Sequence, residues 1–159
     1  MAYLIDGNNL IGAVSTLSLD DPDSRSALIG RLRNFQKVRN TRIILVFDGP
    51  PDPDLPFDRL RTMRFSIHYP DPGSSADSVI HRLIDRQTDR RRFFVVSTGR
   101  EIRDHARKEG ARVIRSEDFD KMLRQAGKEV RELNEMTKPE DRTSPLEVRM
   151  MTELFEDEK

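Results

Sequence analysis

The chain has 159 residues with no cysteine, 35% hydrophobic and 35% charged residues, and 28 basic against 28 acidic side chains. That length suits one domain with a core that needs no staples, and the missing cysteines exclude disulfides, thiolate nucleophiles and zinc–thiolate sites. Net charge says nothing about nucleic acid, a mean hydropathy of -0.69 points to a polar chain with a mobile tail, and the lack of a signal peptide or a ~20-residue apolar run makes a soluble cytoplasmic protein without membrane contact the expectation.

Taken in order, Ala2-Tyr3-Leu4-Ile5 is a short apolar run that stops at Asp6, as a buried strand does on reaching a sheet edge. Gly7, Asn8 and Asn9 read as turn formers that tolerate positive φ, with Leu10, Ile11 and Val14 continuing into a short helical turn. Residues 15–24, rich in Ser, Asp and Pro, read as a loop. Asp23 or Ser24 then caps a helix whose Ala27, Leu28, Leu32, Phe35 and Val38 share one apolar face, closed by Asn40. The second strand is residues 42–48. Its unbroken Ile-Ile-Leu-Val-Phe run suits a strand buried on both faces of a parallel sheet, and it too ends in an acid, Asp48. Prolines 50, 51, 53 and 56 impose a loop. Phe65, Ile67 and Tyr69 alternate with Ser66 and His68 as in a half-buried edge strand.

Ser74 or Ser75 caps the next helix, which has Asp77 in its first turn and Val79, Ile80, Leu83 and Ile84 on its apolar face. Arg90-Arg91-Arg92 forms a charged turn before a buried strand, Phe93 to Ser97, and Thr98-Gly99 leads into a helix with Ile102 and Ala106 that Gly110 stops. A last short strand, 111–114, precedes a helix from Ser116 through Phe119, Met122 and Leu123. From Lys128 the charge density rises. The expected organisation is a domain over 1–127 and a charged extension over 128–159, with a linker from Thr137 to Pro145 and a short helix over 145–155.

Strands alternating with helices predict a three-layer α/β/α architecture around a mainly parallel sheet of about five strands. Ligand crevices in such sheets lie outside the carboxyl ends of the strands. Asp6, Asp48, Ser97 and Thr98 fall at such ends, and Asp77 and Asn9 lie within a turn of them. Carboxylates gathered without histidine or cysteine are hard oxygen donors suited to Mg²⁺ or Mn²⁺ rather than zinc. A divalent ion among them offsets their mutual repulsion and can assist phosphodiester hydrolysis. His68, His81 and His105 show no metal-ligand spacing. Each feature also has a plain structural explanation: Asp-Gly is a common turn pair, Asp77 favours the helix dipole, and Ser97 and Thr98 are ordinary helix caps.

The Leu-Ile-Asp-Gly-Asn-Asn opening, the Val-Phe-Asp-Gly strand end, the Ser-Ala-Asp-Ser-Val-Ile helix start and the Val-Val-Ser-Thr-Gly-Arg segment followed by Glu-Gly-Ala-Arg-Val-Ile resemble the NYN domain in its YacP-like branch. The likeness spans roughly residues 2–125 in order and spacing. It implies a PIN-like, Rossmann-like fold and Mg²⁺- or Mn²⁺-dependent ribonuclease activity, acting in some YacP-like members on messenger RNA at the ribosome. Asp6 matches the first metal aspartate of the family, Asn9 its motif asparagine, Asp48 the second-strand acid and Asp77 the acid of its Thr-Ala-Asp position. The family often has acids where this chain has Ser74, Ser78 and Gly99, and fewer charges weaken metal binding.

The resemblance thus implies an endoribonuclease in which Asp6, Asp48 and Asp77 hold the metal and act catalytically. Asn9, Ser97 and Thr98 would orient water or phosphate, and Arg100 and Arg103 would contact the RNA backbone. Arg59, Arg61 and Arg64 would rim the proline-rich loop, and Phe57 and Tyr69 offer rings for base stacking. Arg90 to Arg92 fall at the opposite sheet edge and suit a solvated turn. Two alternatives remain open: a non-catalytic RNA- or ribosome-binding module of the same fold, and a small-molecule phosphatase or nucleotide-binding protein. The absence of a P-loop and of a G-x-G-x-x-G motif weighs against the last.

Overall fold

Five apolar runs pair side by side as parallel strands: β1 (Ala2–Asp6), β2 (Arg42–Val46), β3 (Phe65–His68), β4 (Phe93–Val96) and β5 (Arg112–Ile114). Their order across the sheet is β3-β2-β1-β4-β5. The computed structural model describes residues 1–55, 62 and 64–137. Within these residues five α-helices cover the sheet: α1 (Gly7–Ala13), α2 (Ser24–Arg39), α3 (Ala76–Asp85), α4 (Arg100–Lys108) and α5 (Ser116–Thr137). A single 3₁₀ turn spans Arg90–Arg92. Pro56, Phe57, Arg59, Arg61, most of the expected 137–145 linker and the expected helix over 145–155 lie outside the described residues.

The two-residue period of the strands sorts their side chains onto two cores. Tyr3, Ile5, Ile43, Leu45 and Val96 face α1, α2 and α5, meeting Leu10, Leu28, Leu32, Phe35, Phe119 and Leu123. Leu4, Ile44, Val46, Phe93 and Val95 face α3 and α4, meeting Val79, Ile80, Ile84, Ile102 and Ala106. The expected three-layer α/β/α arrangement is therefore present. In the first core Tyr3 stacks on Phe94 at 4.8 Å and meets Phe35 edge-on at 5.1 Å, which orients the first strand against α2. No helix among the described residues is long and apolar enough to cross a membrane.

Several local readings change. Gly7 to Asn9 form the first turn of α1 and adopt no positive φ; that conformation occurs instead at Asn40, Gly49, Gly73 and Gly110. Helix α1 starts directly at the strand end because Gly7 allows the buried Phe47 ring to lie against it. Strand β2 ends at Val46, so Asp48 sits in the loop beyond it. Asn40 and Gly110 terminate α2 and α4 in the left-handed region, as their positions predict. The Ser24 hydroxyl does not cap α2 but turns back to the Ser18 carbonyl at 2.5 Å. Helix α5 runs unbroken past Lys128, with Leu123, Ala126 and Val130 buried along it.

Ser75 is the N-cap of α3, and its hydroxyl accepts from the Ser78 amide at 3.3 Å. Removing such a cap costs about 1 kcal/mol. Ser75→Ala is therefore expected to lower the urea midpoint by that equivalent, and an unchanged midpoint would show that solvent replaces the cap.

Candidate functional site

The strand order reverses between β1 and β4, and in doubly wound sheets the ligand crevice forms at this switch point. Asp6 is the last residue of β1, and Ser97 is the first residue after β4. The Ser97 hydroxyl donates to Asp6 Oδ2 at 3.0 Å across the crevice. It also accepts from the Gly99 amide at 3.0 Å. The Asn9 backbone N–H donates to the Asp6 carboxylate.

Asp6 is only 9% exposed. Its pKa is pushed up from 3.8 to about 6. Burial is the largest cause, and the negative charges of Asp77 and Asp48 add to it. The hydrogen bonds from Ser97 and Asn9 act in the opposite direction. A carboxylate kept from water beside two others is the electrostatic setting in which a cation is most favourable.

Asp77 projects from the first turn of α3 and is exposed. Asp48 is held by local bonds: its Oδ1 accepts from the Gly49 amide at 3.0 Å and from the Ala76 amide at the start of α3 at 3.4 Å. Its own amide donates to Asn8 Oδ1 at 3.4 Å, and Arg25 donates to its carbonyl at 2.7 Å. Asp48 thus ties the loop after β2 to α1, α2 and α3.

Asn9 is a junction. Its Oδ1 accepts from the Thr98 amide at 3.0 Å, the Thr98 hydroxyl at 2.9 Å and the Ser116 hydroxyl at 2.6 Å. One carbonyl therefore fixes the loop after β4 and the N-terminus of α5 to α1. Its amide NH₂ has no acceptor among the described residues, so it is the part of Asn9 left for a ligand. Asn9→Ala would strip three donors of their acceptor at once. The expected loss is about 2 kcal/mol, measured by thermal or urea unfolding; full stability in that variant would show that water satisfies all three donors.

Arg100 and Arg103 lie in the first turn of α4, at the same sheet edge. Arg100 is exposed, 3.8 Å from Asp104, and neither arginine pairs with a notch acid. Arg103 Nε is buried without a partner among the described residues. At two of the three positions where an acid was expected from the resemblance, the residues present have roles of their own. Ser78 bonds to Ser75, and a Cβ on Gly99 would lie 3.2 Å from Ser97 Oγ. An acid at 99 would therefore crowd the hydroxyl that holds Asp6.

Sequence reading missed Ser116, Asn8 and Arg25 as members of this arrangement. Ser116 had a signal, since it begins a helix, but its link to Asn9 depends on a contact 107 residues away in sequence. It also missed a second grouping. Asp85, His105 and Glu109 place one ligand atom each within 4.8 Å of one another, at the far ends of α3 and α4 from the notch. That grouping is knitted by a hydrogen bond between His105 and Asp85 and an ion pair between Arg90 and Glu109, each of 2.8 Å. Among the described residues the notch acids are not gathered that tightly.

The family model described as the YacP-like NYN domain matches residues 3–158. The chain belongs to the YacP-like NYN family. Among solved structures it is similar to Rae1 (YacP) from Bacillus subtilis, with a TM-score of 0.72 at 17% identity over 99% of this chain and 91% of that one. A mutant of the same Bacillus subtilis protein gives 0.70 at 19% identity over 88% and 86%. A comparison with curated proteins found no match. At these identities the structural likeness speaks for the fold, and the fold puts Asp6, Asn9, Asp48 and Asp77 around one crevice. Three carboxylates, one of them buried and displaced towards its neutral form, are a donor set that fits a hard divalent cation. Mg²⁺ usually takes one or two protein carboxylates and keeps waters, which an open notch allows.

Proposed function

We propose that this YacP-like NYN protein is a divalent-metal-dependent endoribonuclease that hydrolyses RNA phosphodiester bonds in the cytoplasm, on messenger RNA at the ribosome. The observation that carries the reading is the buried Asp6 carboxylate at the switch point, raised to about 6 beside Asp77 and Asp48. Asp6, Asp48 and Asp77 would hold Mg²⁺ or Mn²⁺. When bound, the ion supplies charge stabilisation for the phosphoryl transition state and a more acidic water. The Asn9 amide NH₂ offers the substrate a donor. Ser97 keeps Asp6 oriented through its hydroxyl, and Thr98 keeps Asn9 oriented through its two bonds. Arg100 and Arg103 bring positive charge to the edge where a phosphate backbone would lie.

A second reading, an RNA- or ribosome-binding module that does not cut, is favoured by one observation: Ser74, Ser78 and Gly99 stand where the family often carries acids. Incubation with single-stranded and structured RNA separates the two. Cleavage that requires Mg²⁺ or Mn²⁺ and stops with EDTA supports the nuclease. RNA retention in EDTA with no cleavage in either metal supports the binding module.

A further inference from the structure

Charge is balanced over the chain, but it is not evenly placed. Helix α2 carries Arg25, Arg31, Arg33, Lys37 and Arg39 and no acid. Alongside it, α5 presents Arg124, Lys128 and Arg131 at helical spacing on one face. Between the two helices lies a cleft of about 600 Å³. Its walls include Arg31, Lys128 and Arg131, with Asn34 and Asn134 as further hydrogen-bonding groups, and no carboxylate lines it. Lys128 and Arg131 have no acid partner among the described residues. Glu129, next to Lys128, is taken by Arg39 at 3.1 Å, and Glu132, next to Arg131, pairs with neither cation among the described residues. Leu123 and Val130 give the cleft an apolar floor.

The cleft is connected to the crevice by the geometry of α5. The Ser116 hydroxyl at the start of α5 bonds to Asn9. At 1.5 Å per residue, Lys128 lies about 18 Å and Arg131 about 22 Å along the helix from that point, while Arg124, nearer the crevice, is paired with Asp120. A chain of phosphates leaving the crevice along α5 would meet the cations in succession.

We propose that the cleft between α2 and α5 binds the phosphate backbone of single-stranded RNA whose scissile bond lies in the notch. The inference rests on the ribonuclease reading for the identity of the polyanion. The supporting chemistry is Arg31, Lys128 and Arg131 around one cleft, none with an acid partner among the described residues, in a chain of zero net charge, which concentrates positive potential there. Neutralising phosphates with lysine and arginine releases counterions, so the binding has a characteristic salt slope.

The test is a fluorescence-anisotropy titration of a short single-stranded RNA in EDTA, across a range of KCl concentrations. The triple variant Arg31→Gln, Lys128→Gln, Arg131→Gln is compared with wild type. A control triple, Arg86→Gln, Arg91→Gln, Arg92→Gln, removes equal charge at the opposite sheet edge. The cleft triple is expected to reduce the slope of log K against log salt by about 2 and to weaken binding about tenfold to hundredfold at 0.1 M salt. The control triple should retain the wild-type slope. Arg31→Lys with Arg131→Lys should also retain it, which separates charge from folding. A wild-type slope in the cleft triple, an equal loss in the control, or no RNA binding by the wild type at low salt overturns the proposal. Binding through the cleft without cleavage in Mg²⁺ or Mn²⁺ would contradict the nuclease reading alone.

Discussion

Asp6→Asn is expected to lower metal-dependent RNA cleavage roughly a hundredfold or more while making the metal-free protein more stable at neutral pH. The first effect follows from the loss of the buried charge that would hold the cation. The electrostatic stabilisation a metal provides is several kcal/mol, and each 1.36 kcal/mol is about tenfold in rate. The second effect follows from the raised pKa of Asp6. Its value is 3.8 in the unfolded chain and about 6 in the folded one. The folded state therefore binds the proton more tightly, and the resulting stabilisation is fully present below pH 3.8. It is lost as the pH rises through about 6, and the rise corresponds to about 3 kcal/mol. The asparagine carries no charge to bury. Its carbonyl can still accept from the Asn9 amide, and its NH₂ can donate to Ser97. In EDTA the stability of wild type should fall relative to Asp6→Asn between about pH 4 and pH 7, and Mg²⁺ or Mn²⁺ should narrow that gap by stabilising the wild type alone. Parallel stability curves for the two proteins across that range would contradict the electrostatic account of the site.

Gly7→Ala is the second substitution with a large expected effect. An added Cβ would lie 2.7 and 2.8 Å from the Phe47 ring and 2.9 Å from the Val46 carbonyl oxygen. The ring has no room to retreat, because Phe47 is fully buried and Arg25 sits 4.7 Å above it. Overpacking of this kind costs about 3 kcal/mol, partly offset by the better helix propensity of alanine. The shift would also reach the site, since Gly7 joins Asp6 to the turn that carries Asn9 and Phe47 precedes Asp48. The expected outcome is a lower unfolding midpoint together with weaker Mg²⁺ stabilisation. A midpoint equal to wild type would show that the sheet edge adapts freely and that the close approach of α1 to β2 is incidental.

The parts of this fold that were legible in the sequence are those written in local pattern. The Ile-Ile-Leu-Val run of β2 is buried on both faces, and so is the Phe-Phe-Val-Val run of β4 apart from the half-buried Phe94, as their lack of alternation indicates. The alternation over 65–68 marks an edge strand, and β3 is one. Asn40 and Gly110 mark helix ends by the backbone conformation they tolerate. What was not legible depends on tertiary contact. Gly7 looked like a flexible turn residue because its neighbour Phe47 is 40 residues away. The switch point between β1 and β4 could not be located until the strand order was known. The Asn9 junction draws on residues at 98 and 116, and no spacing rule links those three. The acids at the notch were visible as strand endings, but the burial that distinguishes Asp6 from Asp48 and Asp77 comes from packing.

The most direct test of a metal centre at the switch point is a crystal structure of the protein soaked in Mn²⁺, with anomalous scattering used to place the ion. An anomalous peak is expected within coordination distance of the Asp6 carboxylate, facing Asp48 and Asp77, and absent in Asp6→Asn. A peak confined to Asp85, His105 and Glu109, with none at Asp6, would contradict a metal centre at the switch point.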